Sequence, residues 1–421
     1  MPRPLATTET ALNQKNLLPL AQQYTGPFWA YDADVILQQI EKLRDFDVIR
    51  FAQKACSNIH ILRLMHAAGV KVDSVSLGEI ERALVAGFQP EGDDIVFTAD
   101  VLDNSVLQRV AELKIAVNAG SVDMLHQLAE VSPGHRVWLR INPGFGHGHS
   151  QKTNTGGENS KHGIWYQELG QALQVVRDRG LTLAGLHMHI GSGVDYQHLQ
   201  QVCDAMVGQV TESGADIPAI SAGGGLSVPY RYGEDEIDTR HYFSLWDTAR
   251  QRIASHLGHP VKLEIEPGRF LVAQSGVLVS QVRAVKAMGS RHFVLVDAGF
   301  SDLMRPAMYG SYHEISVMPA DNRAPETNTL QDTVVAGPLC ESGDVFTQLE
   351  GGTIAPRPLP AARVGDYLVF HDTGAYGASM SSGYNSRPLI PELMFEGGQV
   401  REIRRAQTID ELLALELDAG V

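Results

Sequence analysis

Eight short β-rich runs, separated by amphipathic helical patterns, occupy residues 48–269 and constrain this chain more than any other feature. They are VIRFAQKA (48–55), VDSVS (72–76), DIVFTA (94–99), IAVNAGS (115–121), RVWLRINP (136–143), LAGLHMHIG (183–191), AISAGGG (219–225) and KLEIEPGR (262–269). Between the first of them stand IHILRLMHAAG, GEIERALVAGF, SVLQRVAEL and VDMLHQLAEV, apolar at the i, i+3, i+4 spacing of one helix face. Strands alternating with helices predict a parallel α/β sheet, since parallel neighbours need a crossover. Eight such units in about 220–240 residues match a closed (β/α)8 barrel of the TIM type. An open doubly wound sheet is the rival, and eight units without a long interruption favour closure. Asp34 before VILQQIEKL adds a helix ahead of the first strand, with the aspartate near its N-cap.

Beyond residue 273 the pattern changes to GVLVSQVRAVKAM, HFVLVDAGF, TVVAGPLC and DYLVFHDTG, strands with few helices among Pro and Gly turns. The expected organisation is a barrel over 34–273, then an all-β domain over 274–421 that residues 1–33 join. Thr408 and Glu411 have capping-box spacing and predict a C-terminal helix. The 421 residues exceed one ordinary domain. Acidic residues outnumber basic ones, 49 to 34, for a net charge of −15, which argues against nucleic acid or an anionic membrane as partner. Three cysteines, Cys56, Cys203 and Cys340, have no paired spacing and point to a reducing compartment. With neither an apolar secretory stretch at the N-terminus nor a membrane-length apolar run, the expected location is the cytoplasm.

Active sites of such barrels lie at the C-terminal strand ends. Those ends carry Lys54, Glu79, Asn142, His187 and His189, Gly223 to Gly225, then Glu266 and Arg269. Taken singly, each is an ordinary polar rim residue or turn; gathered on one rim they point to chemistry. Lys54 closes an apolar strand, so its amine projects into the barrel mouth, where it suits a Schiff base. Gly223, Gly224 and Gly225 remove side chains and let backbone N–H groups approach a phosphate, with Gly268 as a second such donor. Glu266 at a strand end calls for a cation, and a carboxylate on a pyridinium nitrogen makes the ring an electron sink. His189 is a flat group able to lie against a ring.

His147, His149 and His162 do not predict a metal. HGH on a Gly-rich loop (143–163) gives poor geometry, and no cysteine or carboxylate joins at a metal-site interval. In the β domain, Arg305 and Tyr309 stand four apart and present a carboxylate-binding pair on one turn. Cys340 beside Glu341 is by default a buried apolar thiol; the other reading is an acid at a site mouth.

FAQKAC, VDSVSLGEIERAL, HMHIGSG, SAGGGL, EPGRFLVA, VDAGF, RPAMYGSYH, AGPLCESGD, DTGAYG and YNSRP run through nearly the whole chain. Together they resemble the diaminopimelate decarboxylases, barrel-type (fold type III) pyridoxal-phosphate enzymes, with EPGR, GPLCESGD and YNSRP the most specific. The resemblance implies pyridoxal 5′-phosphate held on Lys54 as a Schiff base, His189 stacked on its ring and Glu266 on its pyridine nitrogen. It implies that Gly223, Gly224, Gly225 and Gly268 hold the phosphate, with Ser192 beside them, and that Tyr376 contacts the cofactor. Arg269, Arg305 and Tyr309 would grip the substrate's distal carboxylate, with Tyr376 near the substrate, and Glu341 would bind its distal ammonium. It further implies a homodimer with shared sites, in which the partner delivers CESGD and Cys340 is the proton donor. The family decarboxylates meso-diaminopimelate at its D-configured centre to give L-lysine and carbon dioxide, the last step of lysine biosynthesis. Two positions depart from it: Cys56 where asparagine is frequent, and His162 where phenylalanine is commoner.

The rival reading is a related barrel decarboxylase acting on lysine, ornithine or arginine. Arg305 and Tyr309 discriminate, because those substrates have no distal carboxylate. A racemase-like barrel would need a catalytic tyrosine and lysine on opposite ring faces. A silent regulator of the same fold would have no use for Lys54, Glu266 and Cys340 together.

Overall fold

A computed structural model describes residues 3, 5, 10–146, 155–189, 191, 193 and 196–417. The chain divides into two compact units, one of Gln39–Ser227 and Ile237–Leu271, the other of Met1–Gln38, Val228–Glu236 and Val272–Val421.

The first unit is the barrel. Its strands are β1 (Val48–Ala52), β2 (Lys71–Ser74), β3 (Ile95–Ala99), β4 (Ala116–Ala119), β5 (Arg136–Asn142), β6 (Thr182–His187), β7 (Ala219–Ser221) and β8 (Lys262–Ile265). Each pairs in parallel with the next, and Glu264 of β8 stands opposite Val48 of β1, so the ring closes. Several strands stop short of the expected runs. β1 ends at Ala52 and Gln53–Ala55 form a 3-10 turn, while β7 ends at Ser221 before Gly223, whose φ is +63°. The residues that carry polar chemistry have left the ladder to form the rim.

The helices behind the strands include α1 (Ile59–Ala67), α2 (Leu77–Ala86), α3 (Asn104–Leu113) and α4 (Val122–Val131). Each has a polar N-cap at the strand-to-helix turn: Asn58, Ser76, Asp103 and Ser121 accept backbone N–H groups. α1 buries Ile61, Leu62 and Met65, and α2 buries Ile80, Ala83 and Ala86, the stripe expected of a helix on a sheet.

Inside the barrel, Val96, Ala116, Trp138, Ala184 and Ala219 form a lower apolar layer. Trp138 fits because Gly185, at φ +159°, has no Cβ to strike its ring. Two residues further along β3, β4, β5 and β7 the same alternation brings Thr98, Asn118, Arg140 and Ser221 inward. With Asp73, His187 and Glu266 they make a layer of buried polar residues, where barrels of this type carry mostly Val, Ile and Leu.

The second unit is built on one sheet. Its main path runs Arg357–Pro360, Leu330–Ala336, Arg291–Val296, Gly276–Met288, Phe28–Asp32, Glu392–Glu396 and Gln399–Arg404. Phe28–Asp32 pairs antiparallel with Gly276–Met288 and parallel with Glu392–Glu396, so an N-terminal strand sits inside a C-terminal sheet. Leu17 of the N-terminal helix joins Phe28, Val277, Val279, Val369 and Leu393 of the sheet in one core cluster. Asp32, not Asp34, caps the helix Ala33–Glu41: its Oδ1 accepts the Asp34 N–H at 3.0 Å, and Asp34 lies within the first turn. At the helix Ile409–Leu417 the capping box is reciprocal, with Glu411 N to Thr408 Oγ1 at 3.1 Å and Thr408 N to Glu411 Oε2 at 2.9 Å. No helix among the described residues is long and apolar enough to cross a membrane.

Candidate active site

Lys54 sits on the 3-10 turn after β1 with its side chain exposed, between buried Gln53 and Ala55. Gln53 pins the turn: its Nε2 donates to Ser74 Oγ at 2.6 Å and to Glu79 O at 3.1 Å. Two acids feel the lysine charge. Burial raises the Glu79 carboxyl, whose Oε2 accepts the Val75 N–H at 2.8 Å while Lys54 acts to lower it. Asp73, 2% exposed, is pushed up to about 8 by desolvation and by the Glu266 charge, against the pull of Lys54. Its Oδ1 has no hydrogen-bond partner.

Glu266 projects into the polar layer just past β8. His187 Nε2 lies 2.7 Å from its Oε2, and Ser221 Oγ donates to its Oε1 at 3.5 Å. Burial alone would raise this carboxyl, yet His187, Arg50 and Arg140 bring it below its ordinary value. It therefore stays ionised in a dry place. His189 accepts the Gly224 N–H on Nδ1 at 3.0 Å, which leaves its ring proton on Nε2. Desolvation, helped by the Arg140 and Lys54 charges, holds this imidazole well below its ordinary pKa, so it is neutral.

The glycine run is required by packing. A Cβ on Gly223 would stand 2.5 Å from Met188 O, and one on Gly224 would stand 2.6 Å from Glu266 O. The expectation that all three offer free N–H groups changes here. Gly224 is committed to His189 and Gly223 to Ser221 Oγ at 3.1 Å, which leaves Gly225 as the open donor among the described residues. A Cβ on Gly268 would lie 3.2 Å from Ala52 O. Arg269, half-buried, begins the helix Arg269–Val272. Ser192, His147 and His149 lie outside the described residues. His162 is no metal ligand here: its Nδ1 stands 2.5 Å from Asp100 Oδ2, and no group of three ligating side chains gathers among the described residues. Asn142 anchors the loop end, with Nδ2 donating to Gly157 O at 3.1 Å and His162 O at 3.2 Å.

Arg305, Tyr309, Cys340, Glu341 and Tyr376 belong to the β-rich unit. Arg305 and Tyr309 bound one helical turn, Arg305–Tyr309, closed by Gly310 at φ +62°. Arg305 is buried and donates from Nη1 to His313 Nε2 at 2.9 Å, while His313 Nδ1 gives its proton to His371 O at 2.9 Å. Its guanidinium carbon lies 4.8 Å from the centre of the Tyr230 ring. Nearby, Tyr312 lies between Arg231 and Arg357, at 3.9 and 3.5 Å from its ring centre.

Cys340 is exposed, which removes the buried-thiol reading, and so is Glu341. Their loop is organised by Asp344, whose carboxylate accepts the Leu339 and Phe300 N–H groups at 2.8 Å each. Asn385 of YNSRP accepts the Cys340 N–H at 2.9 Å, and Arg387 donates to Asp297 O at 2.7 Å. VDAGF, GPLCESGD and YNSRP are thus one hydrogen-bonded cluster. Tyr376 has φ +57°, a left-handed conformation that bulky residues rarely adopt. Sequence reasoning missed Asp73, Arg140, His313 and Asp344. Arg140 had a signal, since Trp138, Arg140 and Asn142 alternate on the inward side of one strand; the others had none of comparable strength.

A family model, pyridoxal-dependent decarboxylase, pyridoxal binding domain, matches residues 34–273. The diaminopimelate decarboxylase of Escherichia coli K12 is 71% identical over 419 residues, covering 99% of this chain and 100% of the relative. The chain belongs to the diaminopimelate decarboxylase family. That of Streptomyces coelicolor is 65% identical over 412 residues, 97% of this chain and 93% of the relative. A crystal structure of a diaminopimelate decarboxylase superposes with TM-score 0.97 at 70% identity, covering 100% of both chains. The Helicobacter pylori diaminopimelate decarboxylase complexed with L-lysine gives 0.83 at 32% identity, over 96% of this chain and 100% of that one. Members of this family are carboxy-lyases dependent on pyridoxal phosphate, and so is this chain.

Proposed function

We propose that this chain decarboxylates meso-2,6-diaminopimelate to L-lysine and carbon dioxide, closing lysine biosynthesis. The observation that carries the reading is Glu266, held ionised in a buried polar layer by His187 at 2.7 Å beside the lysine-bearing rim. A carboxylate there fits a protonated pyridine nitrogen, the open Gly225 N–H fits a phosphate oxygen, and the exposed Lys54 amine fits an aldehyde. Pyridoxal phosphate, when bound, supplies the sink for the electron pair released as carbon dioxide leaves.

The chain's own residues orient and protonate. Lys54 holds the cofactor, and neutral His189, locked by Gly224, presents a flat face to it. Gly223, Gly224, Gly225 and Gly268, with Ser192, enclose the phosphate, Gly225 offering its open N–H, and Tyr376 contacts both cofactor and substrate. Arg269, Arg305 and Tyr309 bind the distal carboxylate, and Glu341 the distal ammonium. A diamino acid with one carboxylate would forgo the charge-assisted contacts that a distal carboxylate makes with Arg269 and Arg305, at about 1–3 kcal/mol or more. Cys340 Sγ–H returns a proton to the carbon that lost its carboxylate. In our reading this cysteine comes from the partner subunit of a homodimer, and the enzyme works in the cytoplasm.

The test is carbon dioxide release from meso-diaminopimelate, lysine, ornithine and arginine, each offered to the holoenzyme. Turnover confined to diaminopimelate is expected. Turnover of lysine without diaminopimelate would overturn the proposal and favour the related-decarboxylase reading.

A further inference from the structure

In the β-rich unit the strands Ile315–Met318 and Tyr367–Phe370 pair antiparallel, with Ile315 opposite Phe370. The His371 N–H donates to Glu314 O at 2.9 Å, so the ladder fixes where His313 and His371 leave it. Earlier in the chain, Arg305 starts the helical turn that Gly310 closes, and its guanidinium meets His313. Both side chains are buried, His313 at 3% and Arg305 at 6% exposed.

The contacts of His313 admit one protonation state. A guanidinium has donors and no acceptor, so the 2.9 Å contact of Arg305 Nη1 with His313 Nε2 requires a bare Nε2. The 2.9 Å contact of Nδ1 with His371 O requires the proton there. His313 is therefore neutral, its lone pair aimed at Arg305. His371 is held in turn: its Nε2 lies 2.7 Å from Ser316 Oγ, which donates to Arg3 O at 2.6 Å. Tyr230 touches both partners, its ring centre 5.4 Å from that of His313, edge to face at 83°, and 4.8 Å from the Arg305 guanidinium carbon. A lone pair spent on one N–H of a rigid fork sets the plane of the whole fork, which packing alone does not do.

We infer that His313 is a positioning residue for the substrate's distal carboxylate, acting through the Arg305 guanidinium whose plane it fixes. The inference rests on the reading above that Arg305 grips that carboxylate. A two-point contact between guanidinium and carboxylate is lost when the fork turns out of plane. His313 thereby bears on which amino acids the site accepts.

L-Lysine, the product, keeps the distal carboxylate, and cadaverine is the same skeleton without it. The experiment measures inhibition of the holoenzyme by each, in wild type, His313→Asn, His313→Gln and Arg305→Gln. The first variant offers an N–H at the place of Nδ1 and no acceptor for Arg305, whereas the second offers an acceptor at the place of Nε2. Expected for His313→Asn is L-lysine inhibition weaker by about tenfold, with cadaverine inhibition unchanged. Its KM for meso-diaminopimelate should rise by a similar factor with kcat nearly kept, since the contact is common to ground and transition states. His313→Gln should restore most of the affinity for L-lysine. A merely structural histidine would weaken both inhibitors alike or affect both variants equally, and either result overturns the inference.

Arg305→Gln separates the inference from the reading beneath it. If that variant weakens L-lysine selectively and His313→Asn does not, His313 has no positioning role. If Arg305→Gln leaves the two inhibitors as they were, the distal-carboxylate reading fails and the inference falls with it. Should His313→Asn not fold, NMR of the wild-type ring nitrogens decides. A proton on Nδ1, with an Nε2 resonance that L-lysine shifts and cadaverine does not, upholds the inference. A proton on Nε2, or no response to L-lysine, overturns it.

Discussion

Lys54 and Asp73 show how much a single side chain owes to its layer. Lys54 is exposed on a pinned turn, free to bond an aldehyde without disturbing the barrel. Lys54→Ala should fold and lose the visible absorption of bound cofactor; a yellow Lys54→Ala protein would remove this lysine from the site. Asp73 lies deeper, and its titration has a definite sign. Its carboxyl holds a proton to about 8 in the fold, whereas an unfolded chain releases it near 3.8. For an acid raised in this way, folding is penalised increasingly as pH climbs between those values, and constantly above them. Asp73→Asn should therefore stabilise the cofactor-free protein more at pH 8 than at pH 5, by a difference on the order of 1–4 kcal/mol. Denaturant midpoints at the two pH values decide it; an equal effect at both would show that Asp73 is ionised throughout.

At the scale of elements, two loops do the positioning. The glycine run after β7 crosses so close to Glu266 O and the His189 ring that Gly224→Ala forces a shift. The expected cost is about 1–3 kcal/mol in thermal or denaturant stability, with weaker cofactor retention because the Gly224–His189 bond moves. The 337–344 loop depends on one buried carboxylate rather than on regular structure. Asp344→Ala leaves the Leu339 and Phe300 N–H groups without their acceptor, at roughly 1–3 kcal/mol each. Turnover should drop through Cys340, while Asp344→Asn, which keeps one acceptor, should be milder. Comparing kcat of the two variants with their stabilities separates a loop effect from a fold effect.

For the whole molecule, the residues proposed for one reaction lie in two units: Lys54, His189 and Glu266 in the barrel, Arg305, Cys340 and Tyr376 in the β-rich unit. If the partner subunit supplies Cys340, mixing Lys54→Ala with Cys340→Ala protein should restore activity, because heterodimers contain one intact composite site. Absence of recovery, with subunit exchange verified, would place each site within one chain. The eight-unit alternation by itself determined the closed barrel and the rim on which Lys54, Glu266 and the glycines stand, because periodicity is a local property that a strand or helix cannot hide. Family motifs determined the chemistry. Only the tertiary structure decided which N–H of the glycine run stays open, that Asp32 rather than Asp34 caps its helix, and that Cys340 is exposed. It alone placed Asp73 where burial and the Glu266 charge raise its carboxyl, since that depends on neighbours that sit far away in sequence and meet only when the ring closes.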